Sequence, residues 1–286
     1  MRVPFRLLDV FAETPFAGNQ LCVVPDVPDG LDADTMLTLA REIAFSETTF
    51  VTAVRGDGYD VRIFTPDGEL AFAGHPTIGT AFLLAAEGRA PRSLVQTCGA
   101  GDVPVEVDLD AGRATMHQLP PVFSDPVEDR AGVAAGAGLE LDDLVADLPI
   151  VSASTGIAHL MVPVRDEATL RRAERDARAC HAACRDADAE SLYLFTVRSD
   201  GDLMARMFDR FQSIGEDPAT GSAAGPLGAY LSRHRLAGMP GRAIVSQGEI
   251  VGRPSALHLD VAPDGDSWAI RVSGRVHVMG EGAFTF

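Results

Sequence analysis

Two stretches of the chain place an ionisable side chain ahead of one short skeleton. Residues 74–81 read GHPTIGTA and residues 216–223 read EDPATGSA. Each has an ionisable residue, Pro, two spacers, Gly, a hydroxyl residue and Ala, headed by His75 in one copy and Asp217 in the other. The spacing from His75 to Asp217 equals that from Gly79 to Gly221. Upstream, Arg62-x-Phe64 is echoed by Arg206-x-Phe208. A match that also keeps the preceding strand and the following apolar helix predicts a duplicated strand–loop–buried-helix unit.

Two readings of the phrase use the same physics. Pro is tolerated near a helix start, and Thr80 and Ser222 lie where a first turn needs capping. On that basis the copies are two well-capped core helices. A helix N-terminus also offers free N–H groups and a positive dipole end, which together hold an anion. Gly74, Thr220 and Gly221 are then binding positions for a carboxylate. His75 and Asp217 become acid and base groups on two walls of one cleft, suited to moving a proton between carbons. A third ionisable candidate is Glu47 in FSETTFV. A Glu at a helix end is most often solvated or capping. Here Ser46-Glu47 leads into an inward-reading strand, and a buried Glu has its pKa raised so that it can act as an acid near neutral pH.

The elements that must position these residues are legible in the hydrophobic pattern. Apolar residues at 36, 37, 39, 40 and 43 predict a helix over 32–43. TTFVTAV and YDVRIFTP read as strands around a turn, and the run after GHP reads as a helix buried on most faces. In the second half, IVSAS, AHLMVPV, SLYLFTV and LMARMFD read as strands, and TGSAAGPLGAYLSRH as a helix. EATLRRAERDARACHAAC reads as one helix and DRAGVAAGAGLE as a loop. The chain ends in strands at RAIVSQG, ALHLDVAP and SWAIRVSGRVHVMGEG.

Composition bounds the chemistry. The net charge of −17 repels nucleic acid and anionic membranes. All 24 basic residues are arginine, so there is no lysine for a Schiff base, for pyridoxal phosphate or for a GK[ST] phosphate loop. The four cysteines (22, 98, 180 and 184) do not space as a disulfide framework, and no signal peptide is legible; we expect a cytoplasmic protein with reduced thiols. Cys180-His181-x-x-Cys184 has no further ligand motif nearby, so no metal is expected. Thr220 stands where a G-x-S-x-G elbow needs Gly, against a serine hydrolase.

DVFAETPFAGNQLCVV, SETTFV, RIFTPDGELAFAGHPTIGTA and GEDPATGSAAGPLGAYL together resemble the signature blocks of the PhzF family, the phenazine-biosynthesis isomerase and its relatives. The resemblance implies an α+β fold of the diaminopimelate epimerase type: two pseudo-symmetric halves, each a mixed sheet or barrel wrapped around a central buried helix, with the active-site cleft between them. The halves would be 1–120 and 121–286, with the C-terminal strand able to cross back to the first. It further implies a cofactor-independent proton shift on a small carboxylate such as trans-2,3-dihydro-3-hydroxyanthranilate, in a homodimer. Glu47 would be the general acid/base, while His75, Asp217 and Ser222 orient substrate and relay protons. Asn19 and Ser46 would contact substrate with Gly74, Thr220 and Gly221. Racemases of the wider fold carry a Cys pair in the two phrases; none of the cysteines here falls in either. ASTGIAHLMVPV resembles the broader family more than the phenazine enzyme, which leaves the native substrate open. A silent carboxylate-binding or regulatory protein, and an epimerase or lyase using the same cleft, are the alternatives.

Overall fold

The computed structural model describes residues 1–211 and 214–286. It divides into two compact units, Met1–Gln118 with Ser273–Phe286, and Leu119–Val272. The fold is mixed α/β, with six α-helices among the described residues.

The first unit holds β1 (Arg2–Val10), β2 (Asn19–Val24), α1 (Ala33–Ile43), β3 (Glu47–Arg55), β4 (Gly58–Phe64), β5 (Glu69–Leu70), α2 (Gly74–Ala86), β6 (Ser93–Cys98), β7 (Gly101–Asp108) and β8 (Arg113–His117). The last strand of the chain, β17 (Ser267–Thr285), joins this unit from Ser273 onward. Pairing runs β1–β2, β2–β3, β3–β4, β4–β6, β6–β7, β7–β8 and β8–β17, and β17 returns to β1. Eight strands therefore close into a barrel, which leaves no free edge. Helix α2 packs against β1, β2, β3, β6, β7 and β8, and every residue from Gly74 to Ala85 is buried. Its apolar surface all round requires that position. A Cβ at Gly79 would lie 2.5 Å from Leu21 Cδ2 and 2.8 Å from Val10 Cγ2, so this glycine lets the helix rest on β1 and β2.

The second unit holds β9 (Val122–Phe123), α3 (Arg130–Gly136), β10 (Val151–Ser154), β11 (Ala158–Pro163), α4 (Glu167–Arg172), α5 (Ala177–Asp186), β12 (Ser191–Val197), β13 (Leu203–Asp209), β14 (Glu216–Asp217), α6 (Gly221–His234), β15 (Arg242–Gln247) and β16 (Ser255–Asp264). Its strands pair in the order β9, β10, β11, β12, β13, β15, β16. Helix α6 is buried from Gly221 to Ser232 and packs on β10, β11 and β16. A separate core of Val133, Leu160, Leu170, Cys180, Cys184, Leu192 and Phe208 lies under α3, α4 and α5.

The expected strands and the helices at 32–43 and in TGSAAGPLGAYLSRH form as read; Asp32 caps α1 by accepting from the Thr35 N–H. Two readings are corrected. The segment taken as one long helix is α4 and α5, broken at Ala173, where the backbone turns extended (ψ 137°), and restarted by Asp176, whose carboxylate accepts from the Arg178 and Ala179 N–H groups. The segment taken as a loop contains α3, because Asp129 caps it at the Gly132 N–H and its small residues let it lie against α5. Local side-chain capping decides both cases.

A shared local motif recurs in the two units. Arg62 grips Glu69 through two hydrogen bonds of 2.7 and 2.6 Å, and Arg206 grips Glu216 through two of 2.9 and 2.6 Å. Each arginine also stacks over the phenylalanine two residues on, at 5.2 Å for Phe64 and 4.8 Å for Phe208. These clamps set the register: Phe64 faces Glu69 and Ile63 faces Leu70, while Phe208 faces Glu216 and Met207 faces Asp217. Leu70 thus occupies the ladder position of Asp217, and the buried helices begin equally far beyond, at Gly74 and Gly221. The matched strings are out of step with the matched structure. His75 corresponds to Ser222, each the second residue of its helix, and GHP lies inside α2 rather than in a loop before it.

Candidate active site

In the first unit four of the expected residues form one polar chain. Asn19 opens β2, Glu47 opens β3, and the two parallel strands set Leu21 opposite Glu47. The Ser46 hydroxyl donates to Asn19 Oδ1 at 3.0 Å. That leaves the Asn19 NH₂ facing His75 Nδ1 at 3.1 Å. His75 Nε2 lies 3.4 Å from Glu47 Oε2, without the alignment of a hydrogen bond. With Nδ1 accepting from Asn19, the imidazole proton sits on Nε2, toward the carboxyl group. Burial pushes the His75 pKa down to about 3, countered only in part by the Gln20 backbone carbonyl, so the ring is neutral near pH 7. The Glu47 side chain keeps 14% exposure, while its Oε2, the oxygen toward His75, is buried. A carboxyl group beside a fixed neutral imidazole N–H can take a proton and give it back.

The turn that delivers Asn19 is held from below. Asp9, itself buried, accepts from the Phe16 N–H at 2.7 Å. Gly18 has φ +68°, and a Cβ there would come within 2.3 Å of the Val10 carbonyl oxygen, so only glycine fits.

The second unit presents two polar groups. Asp217 Oδ2 accepts from the Thr220 hydroxyl at 2.5 Å. Gln247 donates its amide to the Asp217 carbonyl at 2.8 Å and to Thr220 Oγ1 at 2.9 Å, while its oxygen accepts from Tyr193 at 3.0 Å. Gly221 and Ser222 follow as the first residues of α6. Ser222 does not cap its helix; its hydroxyl instead meets His159 Nε2 at 3.0 Å. Thr80 likewise meets Thr49 at 2.9 Å and caps nothing, because it lies in the second turn of α2. The expected capping roles of Thr80 and Ser222 are therefore corrected.

Several groups escaped the sequence reading. Gln96, buried, ties Tyr59 to Thr77 of α2, as Gln247 ties Tyr193 to Thr220. Asp209 lies on the same face of the β13–β14 pair as Asp217, two residues along β13 from Met207, which Asp217 faces. Burial, then the charge of Asp217, lifts its pKa to about 7. His159 is buried and held neutral, its pKa pushed down to about 3 by burial. None of these has a spacing signal; the pairing of distant strands creates the contacts. Cys180 and Cys184 belong to the core under α5, and His181 bonds the Arg210 carbonyl at 3.3 Å. Among the described residues no three His, Cys, Asp or Glu side chains are grouped to hold a metal ion. Among them, too, no helix is long and apolar enough to cross a membrane.

The first unit is thus a closed barrel around a buried helix, with Glu47 and His75 facing each other where β3 and α2 begin. The phenazine biosynthesis-like protein family matches residues 8–285, and the chain belongs to this PhzC/PhzF family of isomerases. The trans-2,3-dihydro-3-hydroxyanthranilate isomerase of Pseudomonas aeruginosa is 35% identical over 97% of this chain and 98% of its own. Among solved structures, a PhzF-family phenazine biosynthesis protein of Bacillus anthracis superposes with a TM-score of 0.88 at 26% identity, covering all of both chains. A predicted epimerase of Pseudomonas aeruginosa does so with a TM-score of 0.86 at 31% identity over 99% of each.

Proposed function

We propose that this isomerase moves a proton on a small carboxylate of the trans-2,3-dihydro-3-hydroxyanthranilate type, without a cofactor. The observation that carries the reading is the 3.4 Å approach of His75 Nε2 to the Glu47 carboxyl group, on a side chain that is not fully buried. Glu47, as carboxylate, takes a proton from one carbon of the bound substrate and returns it to another, so substrate and product are isomers. The neutral His75 ring, fixed by Asn19 and Ser46, lies beside the carboxylate and steadies its charge electrostatically between the two transfers. In the second unit Asp217, Thr220, Ser222 and the Gly221 N–H are assigned to holding polar groups of such a carboxylate, and in the first unit the Gly74 N–H is assigned the same task. The absence of lysine from the chain supports a mechanism with no imine step. A homodimer in the cytoplasm accompanies this reading, in keeping with four free cysteines.

The test is turnover of trans-2,3-dihydro-3-hydroxyanthranilate in heavy water after dialysis against a chelator. Deuterium at the newly protonated carbon supports the proposal. Binding with neither turnover nor exchange would favour a silent carboxylate-binding protein. Activity that returns only on adding a metal would remove the cofactor-free mechanism.

A further inference from the structure

His159 bridges two hydroxyl groups that the sequence keeps far apart. Its Nδ1 lies 2.8 Å from Ser191 Oγ and its Nε2 3.0 Å from Ser222 Oγ. Parallel pairing of β11 with β12 sets Leu160 opposite Leu192, which places His159 beside Ser191 at the start of the ladder. The ring then reaches the first turn of α6. His159 is 2% exposed, Ser191 0% and Ser222 6%, so water does not compete for these bonds.

A neutral imidazole has one donor nitrogen and one acceptor nitrogen. If Nδ1 carried the proton, it would donate to Ser191. The Ser191 hydroxyl proton would then lack an acceptor, since His159 is its sole hydrogen-bond partner among the described residues. A buried donor left in that state is costly. If Nε2 carries the proton, each group is used. Ser191 donates to Nδ1, Nε2–H donates to Ser222 Oγ, and the Ser222 proton stays free for a further acceptor. Burial of the ring, which holds it neutral, keeps this arrangement over the physiological pH range.

We infer that His159 is a positioning residue: seated on Ser191, it turns the Ser222 hydroxyl into an obligate donor, aimed at an anionic oxygen of the ligand. This rests on the proposed role of Ser222 in holding substrate and deepens it. Ser222 would recognise a carboxylate or enolate oxygen, not a group that itself donates.

Two measurements separate this role from a merely structural one. The first is ¹⁵N NMR of His-labelled protein at neutral pH. His159 should show a protonated Nε2 and a bare Nδ1; the opposite tautomer overturns the proposal. The second is calorimetric titration with 3-hydroxyanthranilate, the aromatic analogue of the proposed substrate. Ser222→Ala and His159→Leu should each weaken binding roughly 10- to 100-fold, as loss of a hydrogen bond to a charged group does. The double variant should be little worse than either, because both remove one donor. His159→Gln, whose amide reaches where Nε2–H stood, should retain most of the affinity. If Ser222→Ala weakens binding while His159→Leu and His159→Gln match wild type, the positioning role fails and the reading of Ser222 stands. If Ser222→Ala changes neither binding nor turnover, the reading of Ser222 itself fails. Should His159→Leu not fold, the tautomer and the Gln variant still decide.

Discussion

His75 Nε2 stands 3.4 Å from Glu47 Oε2, and the far side of the same ring is fixed by Asn19 at 3.1 Å. The carboxyl group thus faces a donor whose direction is set by residues on another strand. Proton transfer requires that geometry, since a freely rotating imidazole would offer its acceptor nitrogen as often as its N–H.

Glu47→Gln should lower turnover about 10²- to 10⁴-fold, the usual contribution of a general acid or base. The change keeps shape and removes the titrating proton, so melting temperature and ligand affinity should stay near wild type. Steady-state kinetics beside thermal melts check this; wild-type turnover would exclude Glu47 as the acid/base group.

Asn19→Ala should reduce kcat while leaving KM less affected. Its loss deprives buried His75 Nδ1 of its donor at a cost of about 1–3 kcal/mol. It also frees the ring to adopt the tautomer that turns a bare nitrogen toward Glu47. Chemical denaturation measures the first effect, and kinetics the second.

Acid should destabilise the protein below about pH 6.5. His75 and His159 have folded pKa values pushed down to about 3 from 6.5 by burial. Between those values the unfolded chain binds protons that the folded chain refuses, so stability falls as pH drops. His159→Gln should flatten that fall by removing one of the two groups. Denaturant midpoints from pH 7 to pH 4 read it out; an unchanged pH slope would show that the ring is not held neutral.

Asp209 should act with the opposite sign. Its folded pKa is raised from 3.8 to about 7, so the folded state binds the extra proton and stability declines as pH rises through that window. Asp209→Asn keeps an oxygen to accept from the Phe211 N–H and cannot ionise. Its stability relative to wild type should therefore improve steadily from pH 4 to pH 8. A constant difference across that range would remove the claim.

Gly18→Ala should destabilise by more than about 1 kcal/mol, since φ is +68° and the new Cβ would meet the Val10 carbonyl at 2.3 Å. Because the same turn delivers Asn19, turnover should fall with it. A melt and a rate measurement at 25 °C check both.

Sequence alone determined the parts of this protein whose cause is local. Asp32 ahead of a helical apolar period makes α1, and the all-apolar run after His75 makes a helix that must be buried. The types of Glu47 and His75 named an acid/base chemistry, the family resemblance added Asn19 and Ser46, and the first unit brings those four together. Tertiary structure decided what depends on distant strands meeting. The Arg62–Glu69 and Arg206–Glu216 clamps set the register that pairs His75 with Ser222, where the written phrases pair it with Asp217. Likewise, nothing near residue 159 in the sequence points to Ser191 or Ser222; parallel pairing of β11 with β12, and the seat of α6 on β11, puts them within 3.0 Å of one ring. A hydrogen bond depends on distance in space, and a sequence lists only neighbours along the chain.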